Sequence, residues 1–107
     1  MIALDEAALV RIVEGLKVEG AADADVLALV ARVRGAAERL GYSHRDLISG
    51  AGHDACWAAR VAPATMVMCP CVDGLSHNEA EEITPDWAEK AANVLFHAVL
   101  ETAGVVE

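Results

Sequence analysis

The sequence has 107 residues, enough for one small domain and too few for two. It carries 17 acidic and 8 basic side chains, and the net charge of −9 argues against binding to nucleic acid or anionic lipid. No apolar run is long enough to span a bilayer, and the first residues lack the basic stretch of a signal peptide, so we expect a cytoplasmic protein. Three cysteines do not make a disulfide framework, which agrees with a reducing compartment.

Helical periodicity dominates the first 41 residues. Over residues 5–17 apolar side chains recur at i, i+3, i+4 and i+7, which predicts a first amphipathic helix. After a Gly-Ala-Ala break, Asp23 or Asp25 is a suitable N-cap for a second helix, and Gly41 is a suitable stop. Its apolar stripe consists of Val26, Leu29, Val30, Val33, Ala37 and Leu40. We therefore predict that residues 1–41 form an amphipathic helical segment.

Two later stretches have the length and composition of strands. Residues 42–48 lead into a tight turn over residues 49–52, and the apolar run 65–69 ends at Pro70, which a central strand would exclude. Between them, residues 53–61 have the pattern of a short helix. Strands that alternate with helices predict the α/β fold class, with a small partial sheet of about two to three strands packed by helices.

The carboxyl-terminal part begins with a polar loop over residues 73–82 and continues as a helix over residues 85–102. Thr84 is a good N-cap, and Pro85 fits the first helical position, where the missing N–H costs nothing. Gly104 follows the last apolar position and marks the end of the helix.

The glycine-rich turn is the first candidate site. Its free backbone N–H groups could bind an anion, and its small residues would let a ligand approach closely. A plain turn from strand to helix, with an acid complementing the helix dipole, explains the same pattern. The residues concerned are Ser49, Gly50, Ala51, Gly52, His53 and Asp54.

The polar loop is the second candidate site, because His77 stands among acidic residues there. A neutral imidazole suits zinc, and a neighbouring carboxylate could orient the ring. One histidine does not make a zinc site, however, and a solvated acidic loop is the alternative. The acids in this loop are Asp73, Glu79, Glu81 and Glu82.

The cysteines and tryptophans fit structural roles better than chemical ones. Cys69 and Cys71 have C-x-C spacing, which differs from the C-x-x-C of zinc ribbons and thioredoxin-like proteins. Cys56 and Cys69 are expected to pack as small apolar residues. Trp57 and Trp87, the only large aromatic anchors, are predicted to lie in the core.

The two candidate sites together form a recognisable pattern. The chain reads SGAGHDA at residues 49–55 and DGLSHNE at residues 73–79, followed by a helix that contains Ala-Asn-Val-Leu. This order and spacing closely resembles the carboxyl-terminal end of zinc-dependent amidohydrolases: N-carbamoyl-L-amino acid hydrolases, allantoate amidohydrolases and β-ureidopropionases, relatives of two-zinc aminopeptidases. The resemblance covers residues 40–104 and implies that residues 42–107 are the end of such a catalytic domain.

The resemblance also implies roles for individual residues. His77 matches a ligand of the second metal, and Asn78 and Glu79 match residues that hold its loop. His53 and Asp54 match residues that orient the glycine-rich turn. Residues that match backbone facing the substrate are Ser49, Gly50, Ala51 and Gly52.

The other family ligands and the general base lie upstream of this region in full members, and residues 1–39 carry none of their motifs. Two-metal hydrolysis needs both ions, a water and a base. We therefore expect a portion of a hydrolase of ureido or amide C–N bonds that is inactive alone and uses zinc or manganese in a complete site, although the chain alone could hold none. A second copy or a partner chain would supply the missing half, and the substrate would be a small ureido acid.

Two other functions stay open from the sequence. The chain could be a non-catalytic interaction or dimerisation module derived from this fold, since its predicted first helix has no clear counterpart in the family. It could also be a small metal-binding protein that uses His53, His77 and nearby acids.

Overall fold

The computed structural model of the protein describes residues 23–46 and 52–106. The predicted helix over residues 5–17 lies outside these ranges. The elements of the described residues are α1 (Asp23–Arg39), α2 (Ala55–Ala58), a single 3₁₀ turn (Val72–Gly74) and α3 (Pro85–Ala103).

The packing of α1 against α3 forms the core of the described residues. Both helices contribute small or branched apolar residues, which let the two backbones approach closely. Val94 of α3 is fully buried between them. The buried cluster consists of Val30, Val33, Ala36, Ala37, Val94 and Ala98, and the partly buried side chains against it are Val26, Leu40, Tyr42, Met66 and Val67. The apolar stripe predicted for α1 is therefore confirmed as a core-facing surface.

The end of α1 follows the prediction at Gly41. This residue has a φ of 74°, in the left-handed region that favours glycine. Its N–H donates to the Glu38 carbonyl at 3.0 Å, and the Tyr42 N–H donates to the Ala37 carbonyl at 2.9 Å. This pair of bonds is a Schellman motif, which satisfies carbonyl groups at the end of the helix and turns the chain back toward α3.

The bounds of α3 also follow the prediction. The Thr84 Oγ1 accepts a hydrogen bond from the Trp87 N–H at 3.2 Å, and Pro85 occupies the first helical position. At the other end Gly104 has a φ of 72°, and its N–H donates to the Leu100 carbonyl at 2.9 Å. The local capping residues are therefore sufficient to set where this helix begins and ends.

The predicted sheet stays a prediction. Residues 65–69 lie in a stretch without regular secondary structure in the described part of the chain, although Met66 and Val67 do pack on the core. Their expected neighbour, over residues 42–48, lies partly outside the described residues. The division of the chain at residue 41 likewise stays a prediction, although α1 and α3 share one core.

Around α2 the predicted helix is present but shorter than expected, and the predicted core role of Trp57 is wrong. The short helix predicted over residues 53–61 is only one turn long, Ala55–Ala58. Trp57 is not a core anchor, because 64% of it is exposed. A single helical turn presents little surface to bury, and the Arg60 guanidinium covers the ring instead, with its Cζ 4.1 Å from the ring centroid.

One side of α3 carries apolar residues that the described residues leave exposed. Leu95 is 53% exposed, Phe96 58% and Val99 52%. We call these three residues the α3 apolar face. It borders a groove that is lined by Leu29 and Val33 of α1 and Val67. Among the described residues, no helix has both the length and the apolar character needed to cross a bilayer.

Candidate functional site

The polar loop between Cys71 and Glu82 is closed by a backbone hydrogen bond between its two ends. The Val72 N–H donates to the Glu82 carbonyl at 2.8 Å, which ties the two ends of the loop together. The 3₁₀ turn at its start is closed by a bond from the Gly74 N–H to the Cys71 carbonyl at 3.0 Å. Asp73 has a φ of 56° within this turn, so the chain reverses sharply before it reaches the predicted metal ligand.

His77 lies at the exposed tip of this loop in the left-handed region, with a φ of 55°. Its N–H donates to the Glu81 Oε2 at 2.8 Å. Asn78 adds two bonds: its Oδ1 accepts from the Ala80 N–H and its carbonyl accepts from the Glu81 N–H, both at 2.9 Å. These bonds fix the backbone of His77 and therefore the direction in which its side chain leaves the chain.

The two predicted motifs meet through their histidines. The ring centroids of His53 and His77 are 5.2 Å apart, and the ring planes are tilted by 56°. His53 is half-buried at the end of the glycine-rich turn, whereas His77 is exposed. Two residues that are distant in the sequence thus place their imidazole rings next to each other.

An open depression adjoins His53 along α2. Arg60 contributes a cation there, held over the Trp57 ring. Asp54 acts through its backbone, whose carbonyl accepts from the Trp57 N–H at 3.0 Å and so begins α2. The residues that line the depression are Gly52, His53, Asp54, Cys56, Trp57 and Arg60. It therefore offers both an imidazole and a guanidinium to a ligand.

The predicted site residues divide into those the structure describes and those it does not. Ser49, Gly50 and Ala51 lie outside the described residues, whereas Gly52 lines the depression. The residues of the second motif lie together in the loop, and Asn78 makes the bonds that close its tip. The side chain of Glu79 makes no hydrogen bond within residues 23–46 and 52–106. The catalytic or binding role of each of these residues stays a prediction.

Sequence reasoning gave no individual role to Arg60, and it named Glu81 only as one of several acids near His77 that could orient the ring. The spacing of Trp57 and Arg60 could have identified the first, because residues three apart are neighbours on a helical turn. Glu81 stands four residues after His77, but no helix connects them. Its bond to the His77 N–H depends on the shape of the loop, which the sequence alone did not provide.

Among the described residues, Cys56, Cys69 and Cys71 form no disulfide. Burial raises the pKa of the Cys69 thiol, and the neighbouring Cys71 and Glu81 raise it further by unfavourable charge interactions. Cys71 Sγ lies 3.9 Å from Glu81 Oε1. A raised thiol pKa opposes formation of the thiolate, so Cys69 has the character of a packing residue rather than a nucleophile.

The chain belongs to the peptidase family M20/M25/M40, whose model matches residues 12–101. It is 75% identical over 79 residues to the N-carbamoyl-L-amino-acid amidohydrolase of Rhizobium meliloti, a match that covers 74% of this chain and 19% of the relative. The N-carbamoyl-L-amino acid amidohydrolase of Geobacillus stearothermophilus is 40% identical over 75 residues, with 66% of this chain and 18% of the relative covered. The chain thus spans about a fifth of the length of these relatives.

Solved structures of amidohydrolases share the fold of the matched part. A putative amidohydrolase/peptidase from Burkholderia cenocepacia superposes with a TM-score of 0.68 at 59% identity, covering 74% of this chain and 19% of that chain. A hydantoinase/carbamoylase family amidase from Burkholderia multivorans gives the same TM-score at 61% identity, covering 75% and 20% respectively. The resemblance predicted from the two motifs is therefore confirmed.

M20-family amidohydrolases are generally metal-dependent. The described residues alone do not fit a metal ion, because they contain no group of three or more histidine, cysteine, aspartate or glutamate side chains that could hold one. The described part of the His53–His77 region supplies imidazoles but no complete ligand set. We therefore assign no step of a hydrolysis to a metal held by these residues alone.

Proposed function

We propose that this chain forms the carboxyl-terminal part of a metal-dependent amidohydrolase site. The site would cleave ureido or amide C–N bonds of N-carbamoyl amino acids or related ureido acids. The observation that carries the proposal is the 5.2 Å approach of His53 and His77, because it joins the two motifs that the resemblance assigns to one site. The name of the R. meliloti relative, 75% identical over 79 residues, supports this substrate class.

Within this proposal His77 supplies one ligand to a metal whose other ligands come from the rest of the catalytic domain. A neutral imidazole suits zinc or manganese, and the exposure of His77 leaves the ring accessible to groups from outside the described residues. When bound, such an ion polarises a carbonyl group and activates water. Without those other ligands the chain would be inactive.

The remaining site residues would hold the substrate and the loop. The backbone of Ser49, Gly50, Ala51 and Gly52 would face the substrate, with His53 and Asp54 orienting that turn. Asn78 and Glu79 would support the loop of His77. We further propose a cytoplasmic location and assembly with a second copy or a partner chain, on the basis of the sequence alone.

Complementation of a relative tests the proposal directly. The R. meliloti enzyme would be produced without the 79 residues that match this chain. It would then be mixed with this chain in the presence of zinc or manganese ions. We expect hydrolysis of N-carbamoyl-L-amino acids by the combination and not by either part. His77→Ala should lower kcat by at least about 100-fold, the upper range for groups that merely support a ligand. His97→Gln, a histidine change on α3, is the matched control and should leave kcat nearly unchanged.

If the two separate polypeptides do not associate, a covalent chimera that joins the two sequences allows the same test. The proposal is wrong if the folded chimera binds metal but does not hydrolyse ureido substrates. It is also wrong if His77→Ala and His97→Gln have the same effect on kcat.

A non-catalytic interaction module is the second candidate, and the α3 apolar face favours it. Leu95, Phe96 and Val99 are more than half exposed, which is unusual for three neighbouring apolar side chains. In the amidohydrolase proposal the rest of the catalytic domain would cover this face. In the module proposal a second copy would cover it, so the size of the chain in solution distinguishes the two.

A further inference from the structure

Glu81 connects three points of the loop that carries His77. Its Oε2 accepts from the His77 N–H at 2.8 Å, and its own N–H donates to the Asn78 carbonyl at 2.9 Å. Its Oε1 lies 3.9 Å from Cys71 Sγ, at the start of the loop. One side chain therefore ties the tip of the loop to its base.

The backbone conformation of His77 explains why such a tie is needed. A residue with a Cβ in the left-handed region costs about 1 kcal/mol or more relative to the right-handed form. Such a conformation persists only where the surroundings determine it. His77 is exposed, so packing does not hold it, and the short bond to a carboxylate is of the stronger, charge-assisted kind.

The direction of the His77 side chain depends on this φ angle. Rotation of the backbone toward the right-handed region would turn the Cα–Cβ bond away from its present direction and separate the ring from His53. The bond between His77 and Glu81 therefore favours the backbone conformation in which the two rings lie 5.2 Å apart.

We propose that Glu81 is the positioning residue for His77, holding its backbone so that the imidazole projects into the site. This inference rests on the proposed function only for the role of His77, since the effect on the backbone is independent of catalysis. Glu82 is the next residue on the same exposed loop, and its backbone carbonyl accepts from the Val72 N–H. Its side chain makes no hydrogen bond within the described ranges, so Glu82 is a matched control for loss of a carboxylate.

Three variants test the proposal in the complemented enzyme. Glu81→Ala should lower kcat about 10-fold and weaken zinc binding, as expected for loss of a group that orients a ligand. KM should change much less, because Glu81 would act on the backbone of His77 rather than on the substrate. Glu81→Gln should recover most of the loss, since an amide oxygen still accepts the His77 N–H. Glu82→Ala should leave both constants within about twofold, as for a surface substitution.

Amide NMR of the 107-residue chain provides a readout that does not depend on activity. In the parent, the His77 amide proton should be shifted downfield and protected from exchange, and Glu81→Ala should abolish both properties while Glu82→Ala keeps them. Equal behaviour of the two variants would overturn the proposal. If His77→Ala leaves kcat unchanged while Glu81→Ala still frees the amide, the proposed function fails and the positioning inference stands.

Discussion

At the scale of single residues, the candidate site is held by polar bonds rather than by burial. Asp73 and His77 both adopt positive φ, although neither is glycine, and both are exposed. Residues held in such conformations are concentrated at functional sites, where surrounding bonds compensate the strain. Around His77 those bonds come from Asn78 and Glu81. Substitution of these two residues should consequently change the geometry of His77 without unfolding the α1–α3 core.

The raised pKa of Cys69 makes a testable distinction among the thiols. Burial is the main cause, so in the folded chain a smaller fraction of Cys69 is thiolate at a given pH. Alkylation requires the thiolate. We therefore expect iodoacetamide to modify Cys69 several-fold more slowly in the folded chain than in urea at about pH 8, near the ordinary pKa of a thiol. Peptide mass spectrometry measures the rates.

Cys56 serves as the internal control because it is also half-buried and free. In urea the two residues should react at similar rates. A Cys69 that reacts equally fast in the folded and the unfolded chain would contradict the prediction and reopen a role for this thiol as a nucleophile.

At the scale of elements, the sequence predicts the helix ends, because interactions between residues close in the chain determine them. The ends of α1 and α3 follow from Gly41, Thr84 and Pro85, each of which acts within one turn of the helix. The predicted sheet would depend on pairing between distant segments, which no single stretch encodes. Trp57 illustrates the same limit, since its size suggested burial but α2 offers it no partner element.

The candidate site was predictable in its residues but not in its bonds. The motifs identified His53 and His77, yet their approach depends on the fold of two separate loops. The role of Glu81 depends on a left-handed residue that sequence periodicity does not reveal.

Gly41 gives a prediction at this scale. A Cβ at this position would meet no atom within 4 Å, so the cost of Gly41→Ala comes only from its φ of 74°. We expect the free energy of unfolding to fall by about 1 kcal/mol. Gly35→Ala, in the interior of α1, should raise it by up to about 1 kcal/mol because alanine favours the helix. Urea denaturation of both variants measures the change.

The two glycine substitutions control for each other, because they should change the free energy of unfolding in opposite directions. The new Cβ at residue 35 would lie 3.2 Å from Nη1 of Arg39, the far end of a flexible side chain that can move. If Gly41→Ala is neutral or stabilising, α1 does not end in the left-handed turn described above.

At the scale of the whole molecule, the family match and the exposed surface support the same proposal, that a further protein surface would cover the α3 apolar face. The chain spans about a fifth of the length of its relatives, and the described residues leave the α3 apolar face uncovered. Complete burial of a leucine or valine side chain contributes about 1.5–3 kcal/mol. A partner surface that covers Leu95, Phe96 and Val99 would therefore gain much of the free energy needed for stable assembly.

Leu95→Asp tests what covers this face. If the rest of an amidohydrolase domain packs on it, a buried carboxylate should weaken association with the shortened R. meliloti enzyme at least about 10-fold, since an unpaired charge is costly to bury. Val61→Asp is the matched control, because Val61 is 84% exposed and lies outside α3. Titration of recovered hydrolysis against chain concentration gives the apparent Kd.

If complementation is unaffected and light scattering instead finds a dimer of the chain alone that Leu95→Asp dissociates, the face binds a second copy. The interaction-module function would then replace the amidohydrolase proposal for this surface.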